Sequence, residues 1–139
     1  MQRTKIEYLT HSWSPIKMKC TPISAGCANC WHLAMAKRLA KNPTIGEKAR
    51  GAYSGGPPFL DKKELEAPLR LKKPARIGVL FMGDYFSLPL ALQAPVLNII
   101  HKANWHKYFF LTKRVEQMDT FQYICGGLDS DHIWLGVSV

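Results

Sequence analysis

Arg76-Ile77-Gly78-Val79-Leu80-Phe81-Met82-Gly83-Asp84 is the stretch that decides the fold. Its centre, Ile77 to Met82, is an unbroken apolar run, the composition of a strand buried on both faces. Two further runs follow at helix-length intervals, Tyr108-Phe109-Phe110-Leu111 and Ile133-Trp134-Leu135-Gly136-Val137. Between the first two, Pro95 suits the first turn of a helix, and Val96, Leu97, Ile99, Ile100 and Ala103 recur at helical spacing. Between the second and third, Val115, Met118, Phe121 and Ile124 mark another helix, closed by Gly126-Gly127. Strand–helix–strand–helix–strand with buried strands predicts the α/β class. The unit, βαβαβ over 76–139, should be a parallel (βα)-repeat sheet with right-handed crossovers.

Upstream, a strand near Trp13–Met18 would extend the same repeat toward the start. A helix is expected from Cys30 to about Lys41, with Asn29 as N-cap and Asn42-Pro43 as its end. The segment 11–41 also carries three cysteines. Residues 43–75 hold many breakers, among them Gly46, Gly51, Gly55-Gly56-Pro57-Pro58, Pro68 and Pro74. They read as a long connection with one short helix near Asp61–Leu69. The whole chain, 1–139, has the length of a single domain. It stops at Val139, at the tip of an apolar strand with no helix to cover it. Such an edge predicts a covering partner protein or, in preference, a longer polypeptide cut after its fourth strand.

Composition narrows the class further. Hydrophobic residues make up 47% and charged residues 21%, which is globular and unlike a disordered tail. No apolar run approaches the ~20 residues that span a bilayer, and no membrane role is expected. Met1 to Glu7 lacks the apolar stretch of a signal peptide, so the expected compartment is the cytoplasm. Nineteen Lys and Arg against ten Asp and Glu leave a formal charge of +9. That balance admits nucleic acid as a partner, through Lys37, Arg38 and Lys41 or through Arg70, Lys72, Lys73 and Arg76; the alternative is a solvated basic surface.

Ligands of parallel sheets bind at the carboxyl ends of the strands. The apolar runs here end in Gly83-Asp84, in Thr112-Lys113-Arg114 and in Ser138, and the early strand leads to Cys20. Asp84 and Thr112 could also serve only as helix caps. Lys113 and Arg114 oppose the dipole of the helix they begin, which favours an anionic ligand nearby. Cys20, Cys27 and Cys30 have C-x6-C-x2-C spacing. Disulfides are rare in a reducing compartment, and thiolates are soft ligands that select zinc or iron–sulfur centres. A [4Fe–4S] cluster held by three thiolates keeps one iron open. Zinc would need a fourth ligand, for which His32 is the nearest candidate although poorly placed two residues after Cys30. Unligated thiols are the third reading. Cys125 reads as packing.

With these residues in view, the chain resembles an uncharacterised, often phage-encoded family of three-cysteine-motif proteins, itself similar to radical S-adenosylmethionine (SAM) enzymes such as spore photoproduct lyase. The resemblance runs through Thr4 to Tyr8, His11 to Pro15, Ser24 to Trp31, Phe81 to Asp84, Leu111 to Arg114 and Trp134 to Val139. It implies the front part of a partial TIM-like barrel, a [4Fe–4S] cluster on Cys20, Cys27 and Cys30, and SAM as cofactor. Gly83 and Asp84 would meet the SAM amino group, and Thr112, Lys113 or Ser138 its ribose or carboxylate. It further implies an electron donor protein and nucleic acid as substrate. The chain departs from the familiar radical SAM pattern at several points. The first spacer is six residues rather than three, Asn29 stands where an aromatic residue precedes the last cysteine, and no Gly-Gly-Glu follows the second strand. His32-Leu33 stands where relatives carry an acidic residue, and Ser87 where they carry His. A zinc-containing, non-catalytic nucleic-acid-binding module and an inactive truncated remnant are the alternatives.

Overall fold

Pro15 divides the first expected strand. The computed structural model, which describes residues 1–125 and 127–138 without the side chain of Cys125, has β1 at Gln2–Arg3, β2 at His11–Trp13 and β3 at Ile16–Lys17. Proline has no N–H to give to a ladder, so Trp13–Met18 cannot run on as one strand. β2 stays in the main sheet, while β3 pairs antiparallel with β4 (Phe59–Leu60) in a small separate ribbon.

The expected connection at 43–75 is more structured than its breakers suggest. α1 (Trp31–Ala40) follows the cysteine loop with Cys30, not Asn29, in the cap position. α2 (Glu47–Ser54) comes next and buries Ala49, Ala52 and Tyr53 against α1. Gly55 closes it at φ 108°, a left-handed conformation that only glycine takes freely. Three small or amphipathic residues make too weak an apolar stripe to announce a helix, and Gly51 within it obscures the pattern further. α3 (Lys62–Leu65) is capped by Asp61, which accepts from the Glu64 N–H at 3.1 Å, and α4 (Ala67–Arg70) completes the connection.

The βαβαβ unit is present as expected, with shifted boundaries. β5 spans Arg76–Val79, α5 Leu90–Lys102, β6 Lys107–Thr112, α6 Val115–Cys125 and β7 Ile133–Val137. Pro95 lies inside α5 rather than in its first turn. The helix starts earlier, after Pro89, whose carbonyl accepts from the Leu92 and Gln93 N–H groups. Of the Gly126-Gly127 closure, Gly127 has φ 80°, and Gly126 lies outside the described residues, as does the end of the chain at Val139. Cys125's expected role in packing also falls outside them.

Among the described residues the main sheet has five strands in the order β1-β2-β5-β6-β7. β1 is antiparallel to β2, and the other three pairings are parallel. Each parallel strand is laid beside the one before it. Alternation along strands in this register puts Trp13, Ile77, Val79, Tyr108, Phe110 and Ile133 on one face. α5 and α6 both cover that face, with Val96, Ile99, Ile100 and Phe121 in the same buried cluster. Ile77, Tyr108, Val96 and Ile100 are wholly inaccessible, each worth about 1.5–3 kcal/mol against exposure.

The expected burial of the strands on both faces holds only in part. Gly78, Phe109 and Trp134 lie on the opposite face, where Phe109 is half-buried and Trp134 exposed. The two rings stack at 5.7 Å, and Tyr8 tilts onto Phe109 from the N-terminal segment. Gly78 is required there: a Cβ would sit 2.7 Å from Leu9 Cδ1 and 3.2 Å from the Phe81 ring. Leu9 is itself buried, so it cannot swing away at no cost. Gly78→Ala is expected to lower stability by about 1–3 kcal/mol through overpacking. Urea denaturation of the two proteins checks this, and a midpoint unchanged from wild type would refute it.

Candidate functional site

The carboxyl end of β5 turns abruptly. The strand expected to reach Met82 stops at Val79 because Leu80 adopts φ 51°, the one non-glycine positive φ among the described residues. Such a conformation costs about 1–2 kcal/mol. Burial of the Leu80 side chain, and its N–H given to the Trp13 carbonyl at 2.9 Å, hold it in place. Gly83 then donates to the Leu80 carbonyl at 2.9 Å, and a side chain at Gly83 would meet Met18 Sδ at 2.8 Å. This tight turn delivers Asp84 to the interior.

Asp84 is buried, and its carboxylate is engaged on both oxygens. Thr112 Oγ1, at the end of β6, lies 2.9 Å from Oδ1 and 2.8 Å from Oδ2. The Phe86 N–H gives to Oδ1 at 3.1 Å and the Lys113 N–H to Oδ2 at 3.4 Å. Arg114 Nε stands 3.8 Å from Oδ2, beyond hydrogen-bond range, in a largely buried ion pair. Arg114 also gives an N–H to the Thr21 carbonyl at 2.8 Å and so ties the cysteine loop to the strand ends. Thr112 Oγ1 accepts from the Arg114 N–H at 2.9 Å and caps the start of α6. Asp84 caps the short turn Tyr85–Ser87 in the same way, through the Phe86 N–H. Both residues are therefore caps, and they line the cavity as well. Asp84 lies beneath the Arg114 cation that opposes the α6 dipole and offsets it, and the buried Arg114 Nε keeps no hydrogen-bond partner among the described residues.

All eight residues singled out in the sequence line a single cavity of about 560 Å³: Cys20, Cys27, Cys30, Gly83, Asp84, Thr112, Lys113 and Ser138. It lies at the carboxyl ends of the parallel strands, and Ser138 is held there by its N–H to the Thr112 carbonyl at 2.8 Å. Lys113 reaches over the cysteine loop, its Nζ 3.4 Å from where a Cβ on Gly26 would be. The rim is apolar, with Tyr8, Ile23, Trp31 and Leu111 exposed at the mouth. Reading the sequence alone overlooks this rim, since Tyr8 and Trp31 belong to no periodic pattern.

The thiols differ in their surroundings. Cys27 sits in a 3-10 turn, Ala25–Cys27, and its pKa is lowered to about 7 by hydrogen bonding from the Ile23 backbone and from the Ser24 hydroxyl and backbone. Burial pushes the Cys20 thiol up, and the Asp84 charge adds to the effect while Arg114 opposes it. Among the described residues no three His, Cys, Asp or Glu side chains are gathered into a group that could hold a metal ion. The three sulfurs share one cavity wall without meeting at a point. Their donor chemistry is that of a soft-metal site.

His32, the nearest candidate for a fourth zinc ligand, has another task. Its Nε2 accepts the Cys20 N–H at 3.0 Å, and burial lowers its pKa, so it stands neutral with its proton on Nδ1. That ring nitrogen is buried without a hydrogen-bond partner. His32 thus anchors the cysteine loop, a role with no signature in sequence.

The network and the thiol can each be probed directly. Thr112→Val, which keeps shape and removes the hydroxyl under a buried carboxylate, should cost about 1.5–3 kcal/mol in denaturant unfolding; a loss below ~0.5 kcal/mol would contradict the network. Alkylation of Cys27 by iodoacetamide, monitored by peptide mass spectrometry, should accelerate as pH rises through about 7, because the thiolate is the reacting form. Ser24→Ala should move that midpoint upward, and an unmoved midpoint would contradict the assigned cause.

No curated protein and no solved structure matches this chain. Its residues 3–139 match the family described as Protein of unknown function (DUF5131), and the chain belongs to that family.

Proposed function

We propose that this is an iron–sulfur protein of the radical SAM type, with Cys20, Cys27 and Cys30 as the ligands of a [4Fe–4S] cluster and SAM as its cofactor. The observation that carries the reading is the convergence of three thiols, one carboxylate and one ammonium group, chosen from distant parts of the sequence, on one cavity at the strand ends. The sheet supports it too. Parallel strands laid in sequence, with both crossover helices on one face, are the arrangement of a (βα) barrel before closure, and the uncovered face would be its interior. In this reading the chain supplies the front part of such a barrel.

When bound, the cluster supplies an electron for reductive cleavage of SAM. The chain's own residues do the positioning. Lys113, with its ammonium over the cysteine loop, is suited to the SAM carboxylate. The Asp84 carboxylate is largely satisfied by Thr112 and the Phe86 N–H, so it acts chiefly by holding Lys113 and Arg114 in place. Gly83, without a side chain, lets the turn pass Met18 and reach the cavity wall, and Ser138 closes the far wall. Tyr8, Ile23 and Trp31 at the mouth exclude water from the reacting centre.

Anaerobic reconstitution with iron and sulfide is expected to bind about four irons per chain, with the broad visible absorption of thiolate-ligated clusters. Each of Cys20→Ala, Cys27→Ala and Cys30→Ala should abolish it. Reduction in the presence of SAM should then release 5′-deoxyadenosine. Stoichiometric zinc with no iron uptake would overturn the reading in favour of a structural metal site.

A further inference from the structure

Trp31 opens α1 with 56% of its surface exposed, an unusual place for the largest side chain. It lines the cysteine cavity and also a second cavity of about 630 Å³ on the uncovered face of the sheet. Trp31, Met35 and Arg38 recur at helical spacing on one side of α1, and all three face that second cavity. The α1 surface continues round to Lys41 and Lys37, which with Lys19 surround a third cavity of about 270 Å³. Tyr53 lines both the second cavity and the third. A path about 15 Å long therefore runs along α1, from an aromatic plane at the reactive end to a group of cations at the other.

Charge along this path is uncompensated. None of Lys19, Lys37, Arg38 and Lys41 makes an ion pair or side-chain hydrogen bond among the described residues. Glu64, which also lines the second cavity, is paired with the Met1 amino group. Of the other basic group, Arg70 and Lys72 are engaged at home, while Lys73 and Arg76 have no side-chain ion pair or hydrogen bond among the described residues. Arg70 pairs with Glu66 and donates to the Lys63 carbonyl, and Lys72 donates to the Leu69 carbonyl while lying over the Trp105 ring. The negative pole of α1 accounts for Lys37 and Arg38 near its end. It accounts neither for Lys19, which is outside the helix, nor for an exposed tryptophan at the opposite end.

We propose that α1 is a track for single-stranded nucleic acid, with a base stacked on Trp31 at the mouth of the cysteine cavity and backbone phosphates along Arg38, Lys41, Lys37 and Lys19. A flat ring beside a row of unpaired cations is the recognition chemistry of single strands, whose bases are free to stack and whose phosphates need neutralising. A duplex hides its base faces and leaves Trp31 without a partner. The proposal deepens the reading above by naming the substrate class of that site, yet binding on the track involves no cysteine and can be measured without metal.

The test is fluorescence anisotropy of a labelled oligothymidine of about 12 nucleotides with the whole protein, over about 50–200 mM salt. Binding is expected, with a log–log salt slope near −3, from four cations at about −0.7 each. Lys37→Ala/Arg38→Ala/Lys41→Ala should weaken binding and flatten the slope. Trp31→Ala should weaken it about tenfold, within the range for one stacked base, while leaving the slope unchanged. Lys62→Ala/Lys63→Ala, which removes two cations off the track, should bind as wild type, and circular dichroism confirms that each variant folds. The measurement is made on metal-free protein, so a failed cluster reconstitution leaves this proposal standing. Equal affinity for duplex, equal competition by thymidine monophosphate at matched nucleotide concentration, or unaltered binding by the Trp31 variant would each overturn it.

Discussion

A buried carboxylate is the constraint on which the upper end of this molecule depends. Removing a charge from water costs several kcal/mol unless it is paired and hydrogen-bonded. Asp84 meets that requirement with the Thr112 hydroxyl, the Phe86 N–H and the Arg114 guanidinium. Each partner comes from a different place: Thr112 from the end of β6, Phe86 from the turn after β5, and Arg114 from the start of α6. Through Arg114 the same charge reaches the cysteine loop at Thr21, 93 residues from Arg114 in sequence. Solvating one carboxylate thus fixes how two strand ends and the cysteine segment sit relative to each other.

This explains why the cavity coincides with a place of backbone strain. Leu80 must take a left-handed conformation to turn the chain from β5 toward Asp84, and Gly83 must lack a side chain to pass Met18. A strand that simply continued to Met82 would relieve the strain and carry Asp84 out of reach of Thr112. Strain of this kind persists where surrounding structure over-determines it, and such places cluster at functional sites. The Cys20 N–H held by His32 is a second tether, which keeps the start of the cysteine loop near the strand ends.

Much of this was legible in sequence because periodicity and chemistry coincide in a (βα) repeat. Ile77–Val79, Tyr108–Leu111 and Ile133–Val137 announce strands by apolar run, and the rule that ligands lie at carboxyl ends selects Asp84, Thr112 and Ser138 without any structure. What periodicity could not supply is long-range and polar. Nothing around Arg114 signals its hold on Thr21, and nothing near His32 signals that it accepts from Cys20. Ser14-Pro15 did carry the information that splits the first strand, since a residue without an N–H cannot sit in a central ladder. α2 was obscured for the opposite reason: Ala49 and Ala52 bury little area, and glycine at 46, 51 and 55 imitates a loop.

The two faces of the sheet carry different demands, and that difference organises the molecule. On the helix-covered face the strands present Ile77, Tyr108 and Phe110 to a core that needs no further partner. On the other, Gly78 admits Leu9 and Phe81, Tyr8 tilts onto Phe109, and Phe109 stacks on an exposed Trp134. An aromatic, half-covered face would be a poor choice for a finished surface, because exposed rings of this size favour association. The cysteine cavity opens at the top of that face, and Ile6, Trp31 and Phe81 are shared between it and the larger space below. Apolar area left uncovered by the fold and polar side chains concentrated at the strand ends therefore adjoin one another, joined by those three shared side chains.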